Sequence, residues 1–183
     1  MTVTAITAET LPTLVWQALQ RAPLDKHHEW RTPVLATVNA LGHAQARTVV
    51  LRQAARDSGT LSFFTDARSP KCAELRAQPR ATLLFWSARL GWQLRAEGTA
   101  RVMTDGPAVE AAWARVRTSP AAGDYLSARP PGHVLDGDAP ATATNHHLAV
   151  VEIAVQAMDW LMLDRAGHRR ARIEGTQVQW LVP

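Results

Sequence analysis

The chain has little sulfur and little lysine. Cys72 is the single cysteine, which excludes an internal disulfide and predicts a cytoplasmic protein. Lys26 and Lys71 are the only lysines among 20 basic residues, so arginine supplies most of the positive charge behind the net +4. A guanidinium fork suits phosphate. The arginines are nevertheless spread along the chain, which argues against a nucleic-acid-binding protein.

Long apolar runs are absent as well. No stretch approaches the roughly 20 residues that a membrane helix needs. The first ten residues lack a basic segment followed by an apolar one, so we expect no secretory leader and no membrane association. The chain has 183 residues, of which 46% are hydrophobic and 20% are charged. This length and composition predict a single globular domain, residues 1–183.

The periodicity of apolar residues predicts more strands than helices. Alternating or β-branched segments predict strands at 33–39, 46–52, 60–65, 81–86, 92–103, 148–156, 160–164, 170–174 and 178–182. Helical spacing and start signals predict helices at 10–22, at 69–78, after a cap at Thr104 or Asp105, and over 121–128. Short turns join most strands, which favours an antiparallel, mainly β (α+β) barrel with helices packed outside. The 129–147 segment is predicted to be a functional or mobile loop.

The densest group of polar residues lies between 47 and 71. Arg47 and Arg52 bracket one predicted strand, and Thr65 ends the next. Ser69 and Lys71 then stand at a helix start, where free N–H groups and the helix dipole favour an anion. Two arginines beside a hydroxyl and an ammonium suit a phosphate monoester.

A polar side chain also interrupts a later strand. Gln93 lies in an otherwise apolar segment, and a buried amide there needs partners. A heterocycle with donor and acceptor edges would supply them. The sequence thus predicts a phosphate-bearing heterocyclic ligand.

Five segments together resemble a known family in order and spacing. They are RTVVLR (47–52), DSGTLSFFTD (57–66), SPKCAEL (69–75), QPRATLLFW (78–86) and QLRAEG (93–98). This pattern, across about fifty residues, is similar to that of the pyridoxamine 5′-phosphate oxidase family of FMN-binding split barrels. The resemblance implies a Greek-key split β-barrel and a homodimer with FMN in a cleft between the subunits.

Matching positions imply the cofactor-binding residues. They are Arg47, Thr48, Val49, Val50, Leu51, Arg52, Phe64, Thr65, Ser69, Lys71, Gln93, Trp160 and Arg170. Arg169 and Arg172 compete with Arg170 for its place, and Trp92 joins Trp160 as an expected flavin neighbour.

The resemblance also implies a substrate site. In DYLSARPPGH, Tyr125 and Arg129 match residues that bind the substrate phosphate, while His133 replaces a serine and Arg52 replaces a lysine. His133 and His168 are the candidate proton donors or acceptors. Other family positions differ: Pro70 replaces an arginine, and Ala166 stands where the oxidases carry a substrate-side arginine.

Two functional classes follow. One is an FMN-dependent oxidoreductase that transfers hydride with a small, possibly phosphorylated substrate. The other is a non-catalytic binder of FMN or of another planar cofactor such as haem or a deazaflavin. Adjacent histidines at 27–28 and 146–147 would point to opposite sides of a strand, so we expect no metal site.

Overall fold

The computed structural model describes residues 5–135, 137 and 141–183, which form nine strands and three α-helices. The strands are β1 (Val34–Val38), β2 (Ala44–Thr48), β3 (Leu51–Ala55), β4 (Thr60–Asp66), β5 (Arg80–Ser87), β6 (Trp92–Met103), β7 (Leu148–Met162), β8 (Arg169–Glu174) and β9 (Gln177–Leu181). The helices are α1 (Leu11–Arg21), α2 (Pro70–Ala77) and α3 (Pro107–Val116). Short 3-10 helices span Glu29–Arg31 and Pro120–Tyr125.

All strand pairs in the described residues are antiparallel. The strand order is β2-β1-β5-β6-β7-β4-β3, and β8 pairs with β7 while β9 pairs with β8. The two ends of this path, β2 and β3, are neighbours in the chain, separated only by Val49 and Val50. The sheet must therefore curl until its ends approach each other. The predicted mainly β, antiparallel barrel with packed helices is confirmed.

The predicted strand at 46–52 is wrong in one respect, because it is two strands. Its first part pairs with β1, as the predicted hairpin requires, and its second part pairs with β4. At the break, the Val49 N–H donates to the Pro33 carbonyl, which continues the β1–β2 register by one residue pair before the chain turns away. The chain crosses here from one part of the barrel to the other.

The predicted strands at 148–156 and 160–164 are one strand, β7. Its register with β6 shifts between Glu97 and Gly98, so that Gln156 is an extra residue in a β-bulge. The bulge bends the strand without ending it. The bend lets β7 pair with β6 along its length, with β4 at one end and with β8 at the other.

Two helix starts also differ from the sequence-based prediction. The N-terminal cap of α3 is Gly106, at φ +84°, and neither Thr104 nor Asp105 caps the helix. Thr10 does stand at the α1 cap, but its hydroxyl donates to the Ala5 carbonyl instead of accepting from the helix. The predicted helix at 121–128 is the shorter 3-10 helix Pro120–Tyr125.

The main core lies between the barrel strands and α1. Leu11, Val15 and Leu19 of α1 are fully buried, together with Trp30 of the 3-10 helix Glu29–Arg31 and Trp160 of β7. A smaller apolar cluster joins α3 to the β4 end of β7 and contains Tyr125. No helix in the described residues is long and apolar enough to cross a membrane.

Candidate functional site

Hydroxyl groups and a lysine meet where β4 leads into α2. Ser69 is the N-cap of α2, as predicted, and Lys71 lies in the first turn. The Lys71 ammonium donates to Thr65 Oγ1 at 3.0 Å, and Thr65 Oγ1 lies 3.2 Å from Ser69 Oγ. Ser69 is 1% exposed, so its hydroxyl is buried within the turn between β4 and α2. The structure thus brings the three predicted residues Thr65, Ser69 and Lys71 together.

The Lys71 ammonium is partly buried beside another cation. Burial is the main cause that lowers its pKa, and the positive charge of Arg47 also lowers it, whereas Cys72, Asp66 and Glu74 act in the opposite direction. No carboxylate pairs with Lys71 in the described part of the chain. A partly buried cation beside a second cation is stabilised by a bound anion, which supplies the missing opposite charge.

Arg47 is oriented by its neighbours. Its guanidinium donates to Thr37 Oγ1 and, at 2.9 Å, to Glu74 Oε2, while the Thr37 hydroxyl donates to the same carboxylate oxygen at 2.6 Å. A guanidinium has five N–H groups, so these two bonds leave further donors for a ligand. The ion pair with Glu74 fixes the side chain of Arg47 next to α2, with 23% of it exposed.

An open cleft of about 630 Å³ borders this cluster through Thr37. Its other walls come from the ends of β1, β5 and β6, including Arg80, Thr82 and Glu97. Thr65, Ser69 and Lys71 do not line this cleft.

The remaining residues of the RTVVLR segment divide between surface and core. Thr48 is exposed and Val50 is partly exposed, so both are available to a ligand. Val49 is 8% exposed, and Leu51 is fully buried in the main core. The side chain of Leu51 therefore supports the site from beneath.

Arg52 forms a second group with two aromatic residues. Its guanidinium carbon lies 5.6 Å from the centre of the Phe64 ring. Burial raises the pKa of the Tyr125 hydroxyl, an effect that the charge of Arg52 opposes. The Arg52 Nε–H is buried and has no hydrogen-bond partner among the described residues. An orphaned guanidinium N–H beside a tyrosine is a donor set that an anionic ligand can satisfy.

The segment after Tyr125 carries Arg129 and His133, both exposed. Arg129 Nη1 donates to the Val134 carbonyl at 3.1 Å, and the His133 N–H donates to the Pro130 carbonyl at 3.2 Å. The predicted 129–147 loop is partly ordered by an isolated bridge between Ser127 and Thr142. Residues 136 and 138–140 of that loop lie outside the described residues.

Gln93 lies on the outer face of the sheet. The row that crosses the strands there runs Trp86, Gln93, Leu161, Arg170 and Leu181. Gln93 and Arg170, predicted to contact the same ligand, thus flank one residue, Leu161. The 47% exposed Trp86 stands on the other side of Gln93.

Trp160 does not share this face. Side chains alternate along a strand, and Trp160 is fully buried among Trp92 at 5.3 Å and Trp180 at 6.4 Å between ring centroids. Trp92 is 8% exposed and also belongs to the core. The structure therefore places neither predicted flavin-side tryptophan at the surface. Sequence reasoning missed Leu161 and Trp86 as neighbours of Gln93, because they lie on the adjacent strands and only the register brings them there.

Asp159 lies in the next row of this face and binds two arginine side chains. Its Oδ2 accepts from Arg95 and from Arg170 at 2.7 Å each, and its Oδ1 accepts from the Arg170 Nε at 3.1 Å. Burial alone would raise the pKa of Asp159, but the two arginines together hold it below the ordinary value. Asp159 was also missed, because an acidic residue in an otherwise apolar strand has no motif of its own.

The three competing arginines of β8 have different environments. Arg169 lies over the Trp180 ring at 4.5 Å and donates to the Ile6 carbonyl. Arg172 pairs with Glu174 at 2.7 Å and Glu97 at 3.6 Å. Arg170 alone shares the cross-strand row of Gln93. Position on the sheet thus favours Arg170.

His168 is remote in sequence from His133 and lies in the β7–β8 turn. It is exposed, and its Nδ1 accepts from the Asp164 N–H at 3.2 Å. No hydrogen bond joins His168 to His133 among the residues that the structure describes.

Comparison with known proteins identifies the family. The family model described as pyridoxamine 5′-phosphate oxidase matches residues 25–159. A pyridoxine/pyridoxamine 5′-phosphate oxidase from Anaeromyxobacter dehalogenans is 36% identical over 91 residues. That match covers 50% of this chain and 45% of the relative, so it spans about half of each protein.

Solved structures share the fold over nearly the whole chain. A pyridoxamine 5′-phosphate oxidase-related, FMN binding protein from Nostoc punctiforme has a TM-score of 0.74, at 21% identity, over 93% of this chain and 96% of its own. PhzG from Burkholderia lata, solved with tetrahydrophenazine-1-carboxylic acid, has a TM-score of 0.75, at 19% identity, over 98% of both chains. A heme binding protein from Mycobacterium smegmatis has a TM-score of 0.57, at 18% identity, over 94% of this chain and 60% of its own.

These identities are low, so the structural likeness establishes the fold only. The fold is the split barrel of the FMN-binding type. The family model covers well over half of the described sequence. This chain therefore belongs to the pyridoxamine 5′-phosphate oxidase family.

Proposed function

We propose that the protein binds FMN and uses it as an oxidoreductase acting on a small phosphate monoester. The observation that carries the proposal is the cluster at the start of α2. Lys71, lowered in pKa by burial and by Arg47, lies beside Thr65 without a carboxylate partner in the described residues. A phosphate dianion is the ligand that best relieves this arrangement.

The residues of the two groups fit the parts of FMN. Lys71, Arg47 and Thr65 would hold the phosphate, while the backbone of 48–50 would run along the flavin. Gln93 and Arg170 share one row of the outer face. Their amide and guanidinium groups suit the pyrimidine edge of a flavin, which has both donors and acceptors. Bound FMN would supply two-electron chemistry, accepting a hydride from a substrate carbon and passing the electrons to oxygen or another acceptor.

The substrate phosphate would bind at the Arg52 group. The Arg52 Nε–H lacks a partner among the described residues, and Tyr125 lies beside it. Arg129, on the following segment, would add a second guanidinium. His133 replaces a serine of the family and is exposed, so it would hold or accept a proton near the substrate.

The site would be completed by a second copy of the chain. The α2 cluster and the Gln93 row belong to different elements of the chain, and Lys71 does not line the cleft at Thr37. The outer face carries the 47% exposed Trp86 next to Gln93. Pairing two such faces would bury apolar surface at a two-fold interface. The cofactor would then lie at this interface and contact both subunits.

The visible spectrum of the purified protein tests the proposal. Flavin absorption that bleaches when pyridoxine or pyridoxamine 5′-phosphate is added without oxygen would establish an oxidase for a vitamin B6 phosphate. Flavin absorption that stays unchanged would retain the cofactor and refute this substrate. A protein that neither contains nor takes up FMN would refute the whole proposal.

A non-catalytic planar-ligand binder is the second candidate. A heme binding protein shares the fold, and Ala166 stands where the oxidases carry a substrate-side arginine. A Soret band, or tight haem uptake that displaces FMN, would favour this candidate.

A further inference from the structure

A buried carboxylate fixes an arginine at the turn before α2. Asp66 is 4% exposed and ends β4. Its Oδ1 accepts from the backbone N–H of Arg68 at 2.8 Å and from Arg68 Nε at 3.0 Å, while Oδ2 accepts from Nη2 at 2.7 Å. The two parallel side-chain bonds form a bidentate pair, which fixes the plane of the guanidinium.

The same guanidinium reaches a second segment of the chain. Arg68 Nη2 donates to the Ser127 carbonyl at 2.8 Å and lies 3.5 Å from that of Arg129, and Nη1 donates to that of Ala128 at 3.3 Å. Three consecutive carbonyl groups, about sixty residues away in sequence, therefore converge on one side chain.

The segment is also held by the chain that follows it. Ser127 forms a bridge with Thr142, the Ala128 N–H donates to the Ala141 carbonyl at 2.8 Å, and the His147 N–H donates to the Tyr125 carbonyl at 2.8 Å. Arg68 adds charge-assisted bonds from the turn before α2, each stronger than a neutral hydrogen bond. Its contact holds the backbone of 127–129 against that turn.

The position of Arg68 links the two halves of the candidate site. It directly precedes Ser69, the N-cap of α2, and so belongs to the turn that forms the phosphate cluster. The carbonyls that it holds lie just after Tyr125 and include that of Arg129.

We propose that Arg68, held by Asp66, is a positioning residue that places the 127–129 segment so that Tyr125 and Arg129 bind the phosphate group of the substrate. This inference rests on the proposed function and deepens it, because it assigns substrate affinity to a residue that does not itself touch the substrate. Arg68 acts on the substrate subsite and leaves the FMN phosphate cluster to Lys71 and Arg47.

Substitution of Arg68 in the FMN-loaded protein tests this role. In Arg68→Ala, hydrogen–deuterium exchange of peptides covering 126–129 should accelerate, because the segment loses its contact with the barrel. The affinity for pyridoxine 5′-phosphate, measured by calorimetry, should fall by about tenfold or more, as expected for lost charge-assisted bonds. FMN affinity should change less than about twofold, since the bonds at Lys71 are untouched.

Three controls separate positioning from a general loss of structure. Arg76→Ala removes an exposed arginine from the last turn of α2, the helix that Arg68 precedes, and should change neither measurement. Arg68→Lys keeps the charge but loses the fork, so it should show the same changes in smaller measure. Added guanidinium ion should restore part of the pyridoxine 5′-phosphate affinity of Arg68→Ala, which a misfolded variant would not allow.

The outcomes distinguish this inference from the proposed function. Unchanged exchange or unchanged pyridoxine 5′-phosphate affinity in Arg68→Ala would overturn the positioning role while the FMN site stands. Wild-type protein that holds FMN but does not bind this probe would overturn both the substrate class and the role of Arg68. Wild-type protein without FMN affinity would refute the proposed function itself.

Discussion

Single residues set the electrostatics of the candidate site, and Lys71 is the clearest case. Its ammonium is partly buried, lies near Arg47 and donates to Thr65 at 3.0 Å. Burial and the neighbouring guanidinium make an isolated positive charge less favourable and a bound phosphate more favourable. The sequence predicted the three residues from a helix start, but only the fold shows that Arg47 is kept beside them by Thr37 and Glu74.

We predict that FMN affinity depends on the protonation of Lys71. The folded-state pKa lies below the ordinary 10.5. Affinity should therefore decrease as the pH rises through that lowered value, because the neutral amine no longer attracts phosphate. Flavin fluorescence titrations between neutral and alkaline pH measure the effect.

The matched control is Lys71→Arg, whose guanidinium stays charged throughout this range. It should lack the additional alkaline decrease, while any titration of the flavin itself affects both proteins equally. Parallel curves for the two proteins would show that Lys71 does not contact the cofactor.

Asp159 predicts a change in stability with pH. Because Arg95 and Arg170 hold its pKa below 3.8, the ionised carboxylate stabilises the fold above that pH. This contribution should be lost as the pH falls through the lowered folded-state pKa. Asp159→Asn should unfold about 1–3 kcal/mol more easily at neutral pH and should show a weaker acid dependence. Urea unfolding at several pH values measures both effects, and identical acid profiles would contradict the role of this carboxylate.

At the scale of elements, periodicity predicted most strands and helices but not how strands continue. The 46–52 segment has an unbroken β pattern, yet it serves two pairings because the chain crosses the barrel at Val49 and Val50. The 148–164 segment is predicted as two strands, yet β7 continues through it with one extra residue, Gln156, in a bulge. Neither event leaves a signal within its own strand, because both depend on the partner strands.

The face on which the Trp160 side chain lies also depends on the partner strands. A motif match places a residue along the chain, whereas the strand register decides which face its side chain occupies. In this register Trp160 faces the core, and Leu161 occupies the row between Gln93 and Arg170.

Gly98 of β6 lies at the bulge and leaves no room for a larger side chain. A Cβ there would lie 2.2 Å from the Ala154 carbonyl oxygen and 2.9 Å from Ile153 Cγ2. Gly98→Ala should therefore destabilise the fold by about 1–3 kcal/mol through overpacking. Thermal and urea unfolding measure this loss. Gly123→Ala, where a Cβ would meet nothing within 4 Å, is the control and should change stability little; equal effects at both glycines would refute the argument.

At the scale of the whole molecule, we propose that the outer face is the dimer surface. Its Trp86 is 47% exposed and stands beside Gln93. Trp86→Arg should yield monomers in analytical ultracentrifugation and should lose FMN at the same time, because the cofactor is predicted to contact both subunits. Leu24→Arg changes an 86% exposed leucine elsewhere and should affect neither property. A dimeric Trp86→Arg variant with full FMN content would contradict this surface assignment.

The family follows from the motifs between 47 and 98 and the barrel from the strand pattern, while the anion site at α2 stays a prediction. The Asp66–Arg68 contact with 127–129 and the Asp159 pairs could not be predicted, because each joins residues far apart in sequence. Long-range contacts of this kind appear only once the strands are assembled.

The most direct test of the account is an FMN titration of the apoprotein in three forms: wild type, Arg47→Ala and Lys71→Ala. We predict tight binding by the wild type and an affinity lower by about tenfold or more in each variant, since each loses a charge-assisted bond to phosphate. Circular dichroism should be unchanged in both variants. If both variants still bind FMN as tightly as the wild type, the cofactor does not lie at the start of α2.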